Sequence, residues 1–404
     1  MSDHTPIEWT DETWNVITGC ELKSEGCRYC YAARLAATRM KNHTSRKGLA
    51  RMNAAGDAKF TGEVRFNEQW LDQPLRWDKA RMIFAVAHGD LFYEKVPFEW
   101  IDRVFAVMAL TPRHTYQVLT KRPDRLREYL SDPDTIRRVY TLACEMAVEG
   151  NLPVILIAQG IDPDAAPPGE RIFLDRWPLP NVWIGVSVEN QATADERIPV
   201  LLDAPGALHW ISAEPLLGPI DLTAIPLDGD EAPVVGERKP LGAFTAAEAI
   251  AHLKGHTQST MTMNVLGGKV ERLLGLPVLG WVVAGGESGA KARFVHPDLP
   301  RALRDQCAAA GVPFLLKQWG EWLPVGQHLP GRGKIHGATA VRTGRMKLHY
   351  GGTPTEHPKH AYAERGVRFA VMPDGALAFR VGKKAAGRLL DGVLHDGFPE
   401  TRHG

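Results

Sequence analysis

The chain has 404 residues, 44% of them hydrophobic and 24% charged, with 48 Lys and Arg against 47 Asp and Glu. That composition excludes a disordered or collagen-like chain, and the charge balance argues neither for nor against a polyanionic partner. No apolar run approaches the ~18 residues that span a bilayer, and the first residues carry acids, so a cytoplasmic protein with no membrane partner is expected.

In chain order, weak strands over Thr13–Thr18 and Glu63–Phe66 precede clearer β-rich runs. These cover Arg81–Ala87, Thr115–Leu119, Val182–Ser187, Leu208–Ser212, Leu279–Ala284 and Pro313–Lys317. Nearly continuous apolar runs suit strands buried on both faces of a parallel sheet. Helices are predicted over Pro97–Leu110, Pro123–Leu130, Ala192–Leu202 and Pro300–Ala310, several opening on a proline that fits a first helical turn. Eight β units with helices between most of them imply an α/β fold, a (β/α)8 TIM-like barrel, whole or incomplete. An open doubly wound parallel sheet is the alternative.

Three segments interrupt the series. Asn151–Ala158 reads as an extra strand or an excursion. Residues 221–276 form an insertion, with helical spacing at Thr245–Leu253 and a break at Gly267-Gly268. The barrel is thus expected over residues 1–220 and 277–324, with a basic extension over 325–404. In that extension Val367–Val381 reads as a hairpin turning at Pro373-Asp374-Gly375. Val381–Arg388 reads as a short helix on which Lys384 and Arg388 share a face.

Among the five cysteines, Cys144 and Cys307 stand alone and read as small buried apolar residues. Cys20, Cys27 and Cys30 instead crowd into the loop after the first strand. Thiolates favour zinc and iron–sulfur iron over hard cations. Structural zinc takes four protein ligands, and the next histidine, His43, lies thirteen residues beyond Cys30. Three cysteines without an adjacent fourth suit a [4Fe-4S] cluster with one iron open. Zinc with a distant ligand, as in a zinc-stabilised hydrolase, and merely clustered thiols are the alternatives.

Barrel chemistry sits at the C-terminal ends of strands. Those ends deliver Asp90, Glu189, Glu214, Glu287 and Lys317 as candidate catalytic groups. Lys121 and Arg122, together with Lys383, Lys384 and Arg388 of the tail, are candidate contacts to an anion or nucleic acid. Tyr29 offers an adenine-stacking ring, and Ser187, Asn190 and Ser288 offer cofactor contacts. Gly285 and Gly286 permit close approach to backbone amides. Seven basic residues and no acid lie between Gly26 and Gly56, and 13 basic residues face six acids from Gly331 onward. DNA or RNA is therefore a candidate partner, and a nucleic-acid-binding iron–sulfur protein whose cluster is structural or redox-sensing is the alternative to an enzyme.

The motif Cys-x6-Cys-Arg-Tyr-Cys in a first βα loop resembles the radical S-adenosylmethionine superfamily, where three cysteines hold the cluster and an aromatic precedes the last. That resemblance implies S-adenosylmethionine on the open iron, a 5′-deoxyadenosyl radical and a reductant protein as partner. Six residues separate the first cysteine pair here, against three in the commonest superfamily spacing. The superfamily's Gly-Gly-Glu follows an early strand, whereas Gly285-Gly286-Glu287 follows a late one, so its amine-binding role is not carried over. More closely, the chain is similar to a phage- and bacteria-borne family of unknown function, the phage protein gp-thirty-seven/gp-sixty-eight family. The similarity rests on Ile7-Glu-Trp-Thr10, Trp14-Asn15, Cys30-Tyr-Ala32, Asp90-Leu-Phe92 and Gln117-Val-Leu-Thr-Lys-Arg-Pro123. It continues through Trp183-Ile-Gly-Val-Ser-Val-Glu-Asn190, Glu214-Pro-Leu-Leu-Gly218, Gly285-Gly-Glu-Ser-Gly289 and Lys317-Gln-Trp-Gly-Glu-Trp322.

Overall fold

The computed structural model describes residues 5–150, 152, 154–157, 170–173, 176–226, 262–267, 277–327, 368–372, 374–375 and 377–400. The apolar runs pair into a seven-stranded sheet: β1 (Glu12–Trp14), β2 (Met82–Ala85), β3 (Thr115–Thr120), β4 (Val182–Ser187), β5 (Leu208–Ala213), β6 (Leu279–Gly285) and β7 (Phe314–Gln318). Spatial order follows chain order without reversal, and every neighbouring pair is parallel. The result is an α/β fold around a curled half-barrel sheet.

Alternation along each strand separates two apolar layers. Ile83, Val118, Ile184, Ile211, Val282 and Leu316 face the helical layer. Chief among the elements there are α2 (Phe98–Ala109), α3 (Pro123–Ser131), α4 (Pro133–Glu149), α5 (Gln191–Asp203) and α6 (Asp298–Ala310). Their Phe105, Leu126, Val139, Ile198 and Leu303 close that core. On the other face, Phe84, Trp183, Trp210, Trp281 and Leu315 form a second cluster around Trp9. The Trp9 ring lies 4.7 Å from Phe84 and 5.3 Å from Trp210, so aromatic packing lines the concavity.

Seven strands rather than eight form the sheet because Glu63–Phe66 is diverted. Arg65–Phe66 pairs antiparallel with Ile17–Thr18 in a separate sheet, and Phe66 packs on Trp100 with ring centroids 5.2 Å apart. The outer edge of β7 is covered by the tail instead. Gly397 N donates to Phe314 O at 3.0 Å, and Leu316 N donates to His395 O at 3.1 Å.

Val154–Ile157 is an extra strand, paired in parallel with Glu170–Phe173 outside the main sheet. Ile225–Pro226 pairs antiparallel with Thr262–Met263. Thr245–Leu253 and Gly268 lie outside the described residues. The hairpin is present as Phe369–Val371 against Leu377–Arg380, with Gly375 at φ +87°; Val367 and Pro373 lie outside the described residues. Trp322–Pro324 adds a third strand to it, so the extension is joined to the end of the expected barrel. The tail helix covers only Lys383–Ala386, and Gly387 at φ +67° follows its end. Among the described residues, no helix is long and apolar enough to cross a membrane.

Candidate functional site

The loop after β1 reaches the C-terminal ends of the strands. Gly19, at φ +100°, permits its start, since a Cβ there would lie 2.1 Å from Glu63 O. A single helical turn, Glu25–Cys27, follows. Cys30 then caps α1 (Tyr31–Ala37). Cys20, Cys27 and Cys30 all line one cavity of about 990 Å³, together with Ser187, Ser212, Glu214 and Lys317.

Burial pushes the Cys20 thiol well up, and Asp90 adds to this while Arg122 opposes it. Arg122 Nη1 stands 3.8 Å from Cys20 Sγ. Burial also raises Cys30, against the amides of Ala33 and Ala32. Cys27 contributes repulsion to both, so the three sulfurs share one electrostatic neighbourhood. Among the described residues, no three His, Cys, Asp or Glu side chains form a group that could hold a metal ion. In a four-iron cluster each thiolate holds a different iron, so its sulfurs surround a cube instead of a point. By donor type alone the set suits iron–sulfur chemistry: three soft thiol donors in the lining of one cavity, with one cation 3.8 Å from Cys20 Sγ.

Three of the five catalytic candidates are fully engaged in positioning. Asp90, 5% exposed, accepts from Phe92 N, Thr120 Oγ1, Lys121 N and Arg122 Nη1 at 2.7–3.1 Å. Arg122 also bonds Glu94 at 2.7 Å, so it braces Asp90 and Cys20 and is not presented to an outside anion. Glu189, 1% exposed, pairs with Lys121 and Arg197, each at 3.2 Å, and accepts from Ser24 Oγ at 2.8 Å. Burial works to raise its pKa, but the two cations outweigh it and hold Glu189 below the usual carboxylate range. Glu287 is clasped by Arg293 at 2.8 and 3.0 Å, and Arg293 reaches on to Glu25 in the cysteine turn.

Glu214 and Lys317 remain as a pair at the cavity, 2.8 Å apart. Gln318 Nε2 links Glu214 Oε1 at 3.2 Å to Ser288 Oγ at 3.0 Å. Ser187 lines the same space. Other expected contacts are placed differently. Asn190 caps α5 by accepting from Thr193 N at 3.1 Å. The Gly286 amide donates to Gln318 O, and a Cβ on Gly286 would lie 2.1 Å from Trp319 O. Close strand-end packing, with no amide left for an anion, therefore requires glycine there. Gly285 brings its backbone against the Glu214 carboxylate. Tyr29 lines the cavity too, with the Arg28 and Arg293 guanidiniums 5.5 and 5.4 Å from its ring.

In the tail, Lys383 lines the cavity and Lys384 is exposed. Arg388 does not share a helical face with Lys384, because the helix has already ended. It donates to Leu316 O at 3.1 Å and to Asp396 at 2.6 Å.

Sequence reasoning missed Tyr31, Arg46, His88 and Ser212 on the cavity wall. Tyr31 donates to Ala87 O at 2.7 Å and meets the His88 ring edge-on at 5.9 Å. Arg46 Nη2 donates to His88 Nδ1 at 2.6 Å. Burial, then Arg46, lowers His88 to about 4. Its place after β2 and the acid-free stretch around Arg46 were the only sequence signals.

No curated protein and no solved structure matches the chain. Residues 4–399 match the family described as Protein of unknown function (DUF5131), and the chain belongs to that family.

Proposed function

We propose that this protein is an iron–sulfur enzyme of the radical S-adenosylmethionine type, working at the mouth of an incomplete (β/α) barrel. The observation that carries this reading is that Cys20, Cys27 and Cys30, from the loop after the first strand, all line one cavity at the C-terminal ends of parallel strands. When bound, such a cluster supplies one electron to S-adenosylmethionine and thereby a hydrogen-abstracting 5′-deoxyadenosyl radical. Cys20, Cys27 and Cys30 would hold it, with Arg122 favouring the charged form of Cys20. The Glu214–Lys317 pair can orient polar groups of a substrate, while Ser187 and Ser212 offer hydroxyls from the neighbouring strands. The tryptophan layer excludes water from the sheet side. A reductant protein is the partner this chemistry requires.

Anaerobic reconstitution with iron, sulfide, dithionite and S-adenosylmethionine tests the reading. Formation of 5′-deoxyadenosine supports it. A full cluster that yields none with several reductants sinks it.

A nucleic acid as substrate or partner is favoured by one further observation. Arg34, Arg39, Lys41, Lys47 and Arg51 are exposed, and none meets a carboxylate among the described residues. Binding to single- or double-stranded oligonucleotides whose affinity falls steeply with salt supports this, and salt-independent or absent binding refutes it.

A further inference from the structure

The most deeply buried cations on the cavity wall fall into two kinds. Lys121, Arg122 and Lys317 each have less than a fifth of the side chain exposed, and each faces a carboxylate: Glu189, Asp90 and Glu214. Arg46 is 3% exposed and, among the described residues, faces none. Its Nη1 donates to Ser45 O at 3.2 Å and Ser45 Oγ at 3.0 Å, and its Nη2 to His88 Nδ1 at 2.6 Å. Among the described residues its buried Nε has no acceptor.

Every acceptor of Arg46 among the described residues is neutral. His88 accepts through a ring nitrogen, so it carries no charge while that bond exists. The Trp70 ring, 5.9 Å from the guanidinium carbon, offers only a partial offset. The nearby Arg65 is a second cation and adds repulsion. A buried charge without a counter-charge is unfavourable, and apolar residues of similar volume would avoid that cost. The missing negative charge belongs to something that enters the cavity. A guanidinium is suited to an oxyanion, whose oxygens accept in its plane.

We propose that Arg46, with His88 beside it, forms a subsite for an oxyanion of the substrate, a phosphate or a carboxylate. It lies next to the cysteine loop, because Tyr31 follows Cys30 and packs on His88. The subsite goes beyond the radical reading, and the proposal stands whatever group the three cysteines bind.

The test is calorimetric titration of the full chain, as purified, with sodium phosphate and with sodium succinate at constant ionic strength set by chloride. Saturable binding of at least one anion is expected. Arg46→Gln should weaken it at least about tenfold, the scale of losing one charge-assisted contact, and Arg46→Lys should weaken it less. The tighter anion identifies the substrate group. No saturable binding of either anion to the wild type overturns the proposal, even if Arg46→Gln fails to fold. So does unchanged affinity in Arg46→Gln.

Discussion

Gly26 lies directly against the carboxylate of Glu189: a Cβ on Gly26 would fall 2.3 Å from Oε1 and 2.6 Å from Cγ. The cysteine turn is thereby seated on the end of β4. Ser24 Oγ, Lys121 and Arg197 hold Glu189 from other sides, so the carboxylate has no room to yield.

Gly26→Ala should therefore displace the turn rather than Glu189. A destabilisation of roughly 1–3 kcal/mol is expected for such overpacking, with lowered iron retention. Ser24→Ala loses one hydrogen bond without a clash, and should cost about 1 kcal/mol. Urea unfolding and iron per chain measure both. Equal behaviour of the two variants would refute the steric account.

Each of Cys20→Ala, Cys27→Ala and Cys30→Ala should abolish iron and sulfide retention after anaerobic purification. Cys307, fully buried in α6, and Cys144 in α4 should be replaceable by Ala with iron unchanged. Iron loss in either would mean a fourth protein ligand and no open iron.

Glu214→Gln and Lys317→Met should each destabilise the fold more than the double variant does relative to either single one. The side chains are 16% and 12% exposed, so either change leaves a poorly solvated charge behind. A coupling of about 1–3 kcal/mol is expected from the double-mutant cycle. Additive effects would show that the pair is independent.

The buried His88 gives a pH signature. Its folded pKa is lowered from 6.5 to about 4, so between those values the unfolded chain binds the extra proton and stability falls as pH falls. The contribution is complete above pH ~6.5 and lost below pH ~4, and amounts to about 3 kcal/mol at most. His88→Asn keeps an acceptor for Arg46 but does not titrate. Urea unfolding from pH 4 to 8 should show a shallower slope for His88→Asn than for the wild type, and parallel slopes would contradict this.

The parallel strands were legible because both of their faces are buried, which leaves uninterrupted apolar runs such as Val182–Ser187. Strand count was not. Glu63–Phe66 has the composition of a strand, but its partner is Ile17–Thr18, and composition carries no information about pairing. The three cysteines were legible because one short loop holds them. Asp90, Glu189 and Glu287 were correctly placed at strand ends, yet their roles depend on Arg122, Lys121, Arg197 and Arg293, which only folding brings near. Arg46 was hidden for the opposite reason: what distinguishes it is a missing acid, and a sequence does not display an unfilled contact.

Trp9, Trp183, Trp210 and Trp281 meet in one aromatic cluster, although 272 residues separate the first from the last. No local stretch of chain can assemble it. The cluster exists only once strands β4, β5 and β6 have registered and curled around the N-terminal segment. Helix formation on the other face leaves these rings untouched. Among the eleven indoles, the part of the tryptophan signal that depends on Trp9 is thus a built-in clock for sheet closure, separable from the far-ultraviolet signal of the helices. Trp9→Phe would quiet that clock while keeping an aromatic ring in the concavity.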